Sequence, residues 1–224
     1  MLFNILRGSY SGIGILAGVF ASIFVIFCTM PVHEYAHALV ATKLGDQTPR
    51  LQGRLSLNPM RHIDPIGALM IVLVGFGYAK PVSVNARNFK NPKVGMALTA
   101  LAGPCANLLV AVVCLLCKNI VLTVSTTGVV ANAFALFFMF AASINVGLAM
   151  FNLLPIPPLD GSRILQFLIP QKYYFRMMQY ERYIILIVFI LLFTNVLSKP
   201  LGWLQTAVYS GLDYIVSLPF QIGR

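Results

Sequence analysis

The sequence predicts an all-α polytopic membrane protein of four to six transmembrane helices, with a re-entrant or short-strand insertion after the first long helix. Two observations carry this expectation. The 224 residues are 58% hydrophobic and only 10% charged, against about 25% charged in a soluble domain. The apolar residues also cluster: Gly12–Met30, Ala97–Cys117, Ala131–Leu154 and Tyr183–Val196 reach or approach the roughly 20 residues that cross a hydrocarbon core. Backbone groups inside lipid find no water partners, so such runs must be helical.

The N-terminal MLFNILRGSY carries a single early Arg7 and no small-residue cleavage site before the first apolar run. It therefore reads as part of the mature chain and not as a signal peptide. The first helix is expected from near Gly12 to about Leu44, which at 1.5 Å per residue is about 50 Å and longer than the core it crosses. Pro31 within it removes a backbone donor and permits a kink, and Gly45-Asp46 ends it.

From Gln47 to Pro92 the pattern breaks at Gly53, Asn58-Pro59, Asp64-Pro65, Gly75, Gly77, Pro81 and Asn91-Pro92. Within this stretch Ile66–Tyr78 is too short for a span and reads as re-entrant or interfacial, and RLQGRLSLN and KPVSVN read as short strands. A second helix is expected over about Gly95–Cys117 and a polar turn over Lys118–Gly128. A third helix covers about Val129–Leu154 and a fourth about Arg182–Val196. The apolar tail 201–219 fits either a further span or a helix lying on the surface. With no linker or internal repeat, residues 1–224 form one domain.

The net charge of +10 does not indicate nucleic acid, because its placement is regular. Seven of the sixteen basic residues (Arg50, Arg54, Arg61, Lys80, Arg87, Lys90, Lys93) fall between the first two long helices. Arg163, Lys172, Arg176 and Arg182 follow the third, and only Lys118 marks the connection between the second and third. Basic residues in short loops mark the cytoplasmic side, so both basic connections are expected there. Cys28, Cys105, Cys114 and Cys117 lie within or beside apolar runs and read as buried small residues without a disulfide framework.

His33-Glu34-Tyr35-Ala36-His37 is H-E-x-x-H on a helix. Spacing of four stacks the two imidazoles on one face, where both reach one ion, and Glu34 lies beside that ion as a general base for water requires. A merely decorative polar patch would cost about 2.5–3.5 kcal/mol per charged group at a membrane-helix centre. The pentapeptide also holds two of the three histidines and one of the two glutamates in the chain. A catalytic zinc takes three protein ligands and leaves a position open. Topology favours Asp160 among the four aspartates, because the first and third helices both run inward and deliver His33, His37 and Asp160 to one depth. The alternative for Asp160 is an N-cap on a helix starting near Ser162. His62 and Asp64 in R-H-I-D-P read as loop anchors or outer support, and not as ligands.

The H-E-Y-A-H helix followed by N-L-L-P-I-P-P-L-D-G resembles the site-2 protease family of intramembrane metalloproteases. LNPMRHIDPIGALM, GYAKPVSVN and AGPCAN resemble its short bacterial branch, so the similarity covers roughly Pro31–Ile164. The resemblance implies Zn²⁺ held by His33, His37 and Asp160, with Glu34 activating water. It implies transmembrane protein substrates met within the lipid bilayer, at an active site toward the cytoplasmic side of the cell membrane. Asn107 and Asn152 match asparagines of the family motifs and are candidates for bonding a substrate carbonyl or oxyanion, or equally for helix packing. Many larger relatives carry PDZ or CBS modules, and no connection here is long enough to house a PDZ domain. KPVSVN is expected to pair with an extended substrate by strand addition. Two other readings compete: a catalytically inactive membrane scaffold that binds transmembrane partners, and a metal-ion transporter. The intact pentapeptide with Asp160 disfavours the first, and the scarcity of polar residues on the second and fourth helices disfavours the second.

Overall fold

The computed structural model describes residues 12–74, 80–124, 128–194 and 196–221. In chain order its helices are α1 (Gly12–Lys43), α2 (Pro65–Val74), α3 (Pro92–Val124), α4 (Val129–Asn152), α5 (Asp160–Leu168), α6 (Gln171–Gln179), α7 (Glu181–Phe193) and α8 (Ser198–Gln221). A single turn at Thr48–Leu51 links α1 to the insertion. Among the described residues α1, α3 and α4 are long and apolar enough to cross a membrane, and the protein is an integral membrane protein.

Packing in α1 is inverted relative to a soluble helix. Leu16, Phe20, Ile23 and Phe27, one helical stripe, are all exposed, while Ala17, Ala21, Ser22 and Val25 are buried. Large apolar side chains facing outward cost nothing where the solvent is lipid. Small ones facing inward let backbones approach, which is what drives helix association there. The core follows the same rule, with Ala21, Ala111, Ala141, Ala142 and Ala149 fully buried between α1, α3 and α4.

Helix α1 departs from regular α geometry just before Pro31. Residues Val25–Thr29 are a π-helical turn, in which Met30 N–H bonds the carbonyl of Val25, five residues back. The wider turn makes room for the Pro31 ring one residue later, where an α-helical donor is missing in any case. Past this turn, the second half of α1 packs on α3 while its first half packs on α4. Gly45 ends the helix at φ +113°, a conformation open to glycine at no steric cost.

Several expectations need correction. There is no strand among the described residues. In RLQGRLSLN the chain turns at Gly53, whose carbonyl accepts from Arg61 Nη1 at 2.7 Å, while Arg54 Nη1 donates to the carbonyl of Arg61. KPVSVN forms no ladder because its donors go elsewhere: Lys80 N–H to the carbonyl of His62 at 2.7 Å, Val82 N–H to Glu34 Oε2 at 3.2 Å and Asn85 N–H to Asp46 Oδ2 at 2.7 Å. Helix α3 continues seven residues past its expected end. Asn119 and Thr123, which suggested a turn, bond back to the carbonyls of Leu115 (3.1 Å) and Asn119 (3.0 Å) and so stay within the helix. The N-terminal MLFNILRGSY, the glycine-broken end of Ile66–Tyr78 from residue 75 onward and residues 125–127 of the expected polar turn lie outside the described residues.

The expected fourth span is short: α7 has 13 residues, about 20 Å of helix. By contrast, α8 runs lengthwise along the bundle. Leu201 and Val216 enter the core, Gln205 Nε2 donates to the carbonyl of Ser143 at 2.9 Å and Asp213 pairs with Lys118 at 2.5 Å. These contacts lie on both α3 and α4.

Candidate metal centre

Helix α1 contributes His33 and His37, one turn apart, and both are buried, as is Glu34. Helix α5 contributes Asp160 as its first residue. The N-cap position is Leu159 and no side chain caps there, so the alternative reading of Asp160 as a cap is not what the chain does. Instead its Oδ2 lies 3.3 Å from His33 Nε2 and 3.2 Å from His37 Nε2, and the two Nε2 atoms are 3.0 Å apart.

The chemistry of this triangle points to a cation. His37 Nδ1 is 2.6 Å from the carbonyl of Thr99. A carbonyl only accepts, so Nδ1 carries the hydrogen and a neutral ring turns its Nε2 lone pair toward His33 and Asp160. Three electron-rich atoms at 3.0–3.3 Å repel one another unless positive charge sits among them. Ligands at about 2.0–2.1 Å on a tetrahedral zinc are themselves about 3.3 Å apart. The observed spacings fit that ion with little adjustment.

Local structure explains how the triangle closes. Gly161, after Asp160, packs so tightly on the Leu153 and Leu154 carbonyls that any Cβ would overlap them. That contact seats the start of α5 against the end of α4. On the opposite side Gly103 of α3 faces both imidazoles, and a Cβ there would lie 2.5 Å from His33 Nε2. Pro104 follows within the helix. Neither Gly103 nor Thr99 was among the expected site residues. The signal that could have found Gly103 is a Gly-Pro pair inside an apolar helix, where both residues cost helix stability.

A cavity of about 730 Å³ opens on this centre, lined by His33, Glu34, His37, Asp160, Asn107 and Asn152 among others. Asn107 is 1% exposed and its Oδ1 is buried with no hydrogen-bond partner, whereas Asn152 donates to the Leu148 carbonyl of its own helix at 3.0 Å. His62 and Asp64 lie outside the three-ligand cluster. His62 Nε2 is 2.6 Å from the Ser56 carbonyl, and Asp64 Oδ1 accepts from Ile66 N–H and Gly67 N–H at the start of α2. Both anchor loops.

Asp46 is fully buried and fastens the Lys80–Asn85 segment near the site. It accepts from Thr48 N–H and Oγ1–H, from Asn85 N–H and from Asn88 Nδ2. Burial disfavours its charge, but the bonds from Thr48, Asn85 and Asn88 outweigh this and hold its carboxyl below the usual carboxylate range. A depressed folded pKa contributes stability above the unfolded value of about 3.9, and that stability is lost as pH falls through the folded value. Asp46→Ala is expected to lower stability by about 1–3 kcal/mol at neutral pH and to flatten the acid limb of a thermal-melt series against pH. An unchanged acid limb would contradict this.

The chain is similar to known metalloproteases. Residues 118–195, which include Asp160, match the family model described as Peptidase family M50. The chain is 38% identical over 198 residues to YwhC of Bacillus subtilis (strain 168), named as a candidate zinc metalloprotease, across 88% of this chain and 89% of that protein. It is 30% identical over 230 residues to Rip2 of Mycolicibacterium smegmatis, named in the same way, across 96% and 82%. Rip2 of Mycobacterium tuberculosis is 29% identical over 166 residues, across 70% and 59%. No solved structure matches. With three apolar helices around an H-E-x-x-H and a facing aspartate, the chain belongs to peptidase family M50, the site-2 proteases, and is a zinc metalloprotease of the membrane.

Proposed function

We propose that His33, His37 and Asp160 hold the zinc, and that Glu34 is the general base in hydrolysis of peptide bonds within or near transmembrane segments of protein substrates. The observation that carries this reading is the triangle of Nε2, Nε2 and Oδ2 atoms at 3.0–3.3 Å beside a buried Glu34. Zinc bound there supplies Lewis acidity, bringing the pKa of water toward about 7 and polarising a carbonyl. Glu34 takes the proton of the attacking water and returns it to the leaving amine, so a neutral peptide and water give an acid and an amine. One Glu34 oxygen accepts from Val82 N–H and the other has no partner among the described residues, which leaves it for the proton.

Asn107 and Asn152 are assigned to the substrate carbonyl or the developing oxyanion. Asn107 is the stronger of the two, because its Nδ2 donates to no described residue, whereas Asn152 Nδ2 already donates to the Leu148 carbonyl. The Lys80–Asn85 segment is assigned to strand addition with an extended substrate. The donors at Lys80, Val82 and Asn85 are already spent on the protein and Pro81 has none, so Ser83 and Val84 N–H and the segment's carbonyls carry this contact. The basic connections support a site toward the cytoplasmic face of the cell membrane, with the cavity as the route for the water that hydrolysis consumes. The whole chain acts as one domain, with α8 packed along the bundle.

The test uses purified full-length protein and a model transmembrane substrate. The wild type is expected to hold zinc equimolar with protein and to cleave. His33→Ala and Asp160→Ala are expected to lose zinc and cleavage together, because two remaining ligands hold the ion weakly. Zinc retained at the wild-type level in either variant overturns the ligand assignment. In the same system Ser83→Cys should trap a substrate cysteine as a disulfide, and failure at every register removes the strand-addition contact.

A further inference from the structure

Arg163 is used by nothing described so far. It lies one turn after Asp160 on α5, so it shares that residue's face, and it lines the same cavity as Glu34, Val82 and the two imidazoles. Among the cavity-lining residues it is the one fixed cation. Its guanidinium makes no ion pair or hydrogen bond with any described residue. The nearby anions are committed elsewhere: Asp160 to the imidazoles, and one Glu34 oxygen to Val82 N–H.

A guanidinium without a partner among the described residues, in a cavity lined largely by Met30, Ile66, Leu148, Phe151, Ile185 and Val188, is poorly placed energetically. Cations in such surroundings normally find a counter-charge. The cavity's geometry says where one could come from. Pro81 and Val82 line the cavity, and so do Pro157, Pro158, Leu159, Asp160 and Arg163. A chain laid extended along Pro81 and Val82 turns alternate side chains toward the rest of the lining, which includes Arg163. A carboxylate there meets the planar fork of donors that arginine offers in matched, bidentate geometry.

We propose that Arg163 is a specificity-determining residue that selects substrates carrying an Asp or Glu side chain within a few residues of the cleaved bond. This rests on the protease reading above and adds a substrate class to it. The partner is a peptide carboxylate. An anionic lipid headgroup offers similar chemistry and is a distinguishable outcome.

The experiment compares full-length wild type with Arg163→Gln and Arg163→Lys in neutral phosphatidylcholine vesicles. Model transmembrane substrates carry Asp or Asn in turn at each position flanking the cut. At one register the wild type should prefer Asp by about tenfold in kcat/KM, chiefly through KM, as expected for a charge-assisted contact. Arg163→Gln should bring that ratio to about one, and Arg163→Lys should keep part of it. Arg163→Glu paired with a substrate Lys at the same register should restore discrimination with reversed sign. A purely structural role predicts the opposite pattern, in which all substrates slow together and the ratio is kept. That result, or a wild type with no preference at any register, overturns the proposal. So does a preference that appears only with phosphatidylglycerol and follows lipid charge.

Binding keeps the two claims separate. Substrate affinity measured in the Glu34→Gln background should show the same Asp preference, lost in Glu34→Gln/Arg163→Gln. If the wild type cleaves nothing while this preference persists, the hydrolytic reading fails and the Arg163 contact stands. If cleavage occurs without the preference, the reverse holds.

Discussion

Glu34→Gln is expected to keep its zinc and lose about 10²–10⁴-fold in kcat. The glutamine oxygen still accepts from Val82 N–H, as Glu34 Oε2 does at 3.2 Å, so the side chain and the Lys80–Asn85 segment stay where they are. None of the three converging atoms proposed to hold zinc belongs to residue 34, so zinc content is the internal control. What the substitution removes is the acceptor for a proton, with near-identical shape left behind. The measurement is zinc per protein by elemental analysis, coupled to single-turnover cleavage of a transmembrane substrate. Wild-type turnover in the glutamine variant would assign the base elsewhere. Loss of zinc with loss of turnover would instead make Glu34 part of the metal site.

Much of this centre was legible because charge is rare in lipid. With two glutamates and four aspartates in the whole chain, few carboxylates were available, and counting helix directions brought Asp160 to the depth of His33 and His37. The bounds of α1 and α4 were legible for the same reason, since Gly45 and the PIPPLDG turn are abrupt breaks in apolar runs. What periodicity could not give was the fate of main-chain donors. The KPVSVN segment has the composition of a strand, but its pairing groups are taken by Glu34, Asp46 and His62, three partners distant in sequence. The end of α3 was misjudged because Asn119 and Thr123 can satisfy their own helix as readily as a turn. Thr99 entered the site through its carbonyl alone, a contribution that any residue type could make and that no motif could flag.

Gly103→Ala carries the largest effect expected from a residue with no functional group. The added methyl would sit 2.5 Å from His33 Nε2 and nearer still to His37 Nε2, well inside contact distance. Neither ring yields easily. His37 is pinned by the Thr99 carbonyl at 2.6 Å on the same helix as Gly103, and both histidines are buried. Relief must come from separating α1 and α3 or rotating the imidazoles, and either opens a triangle whose sides are 3.0–3.3 Å. Disturbing groups that only orient metal ligands already costs about 10–100-fold in affinity or activity, and direct displacement should cost at least that. Zinc retention against a competing chelator and cleavage of the model substrate should therefore fall together. Gly202→Ala supplies the control, because a Cβ there meets nothing within 4 Å and the helix gains a better former. Equal zinc affinity in the two alanine variants would mean that α3 does not press on the imidazoles, and the close approach of that helix would lose its place in the metal site.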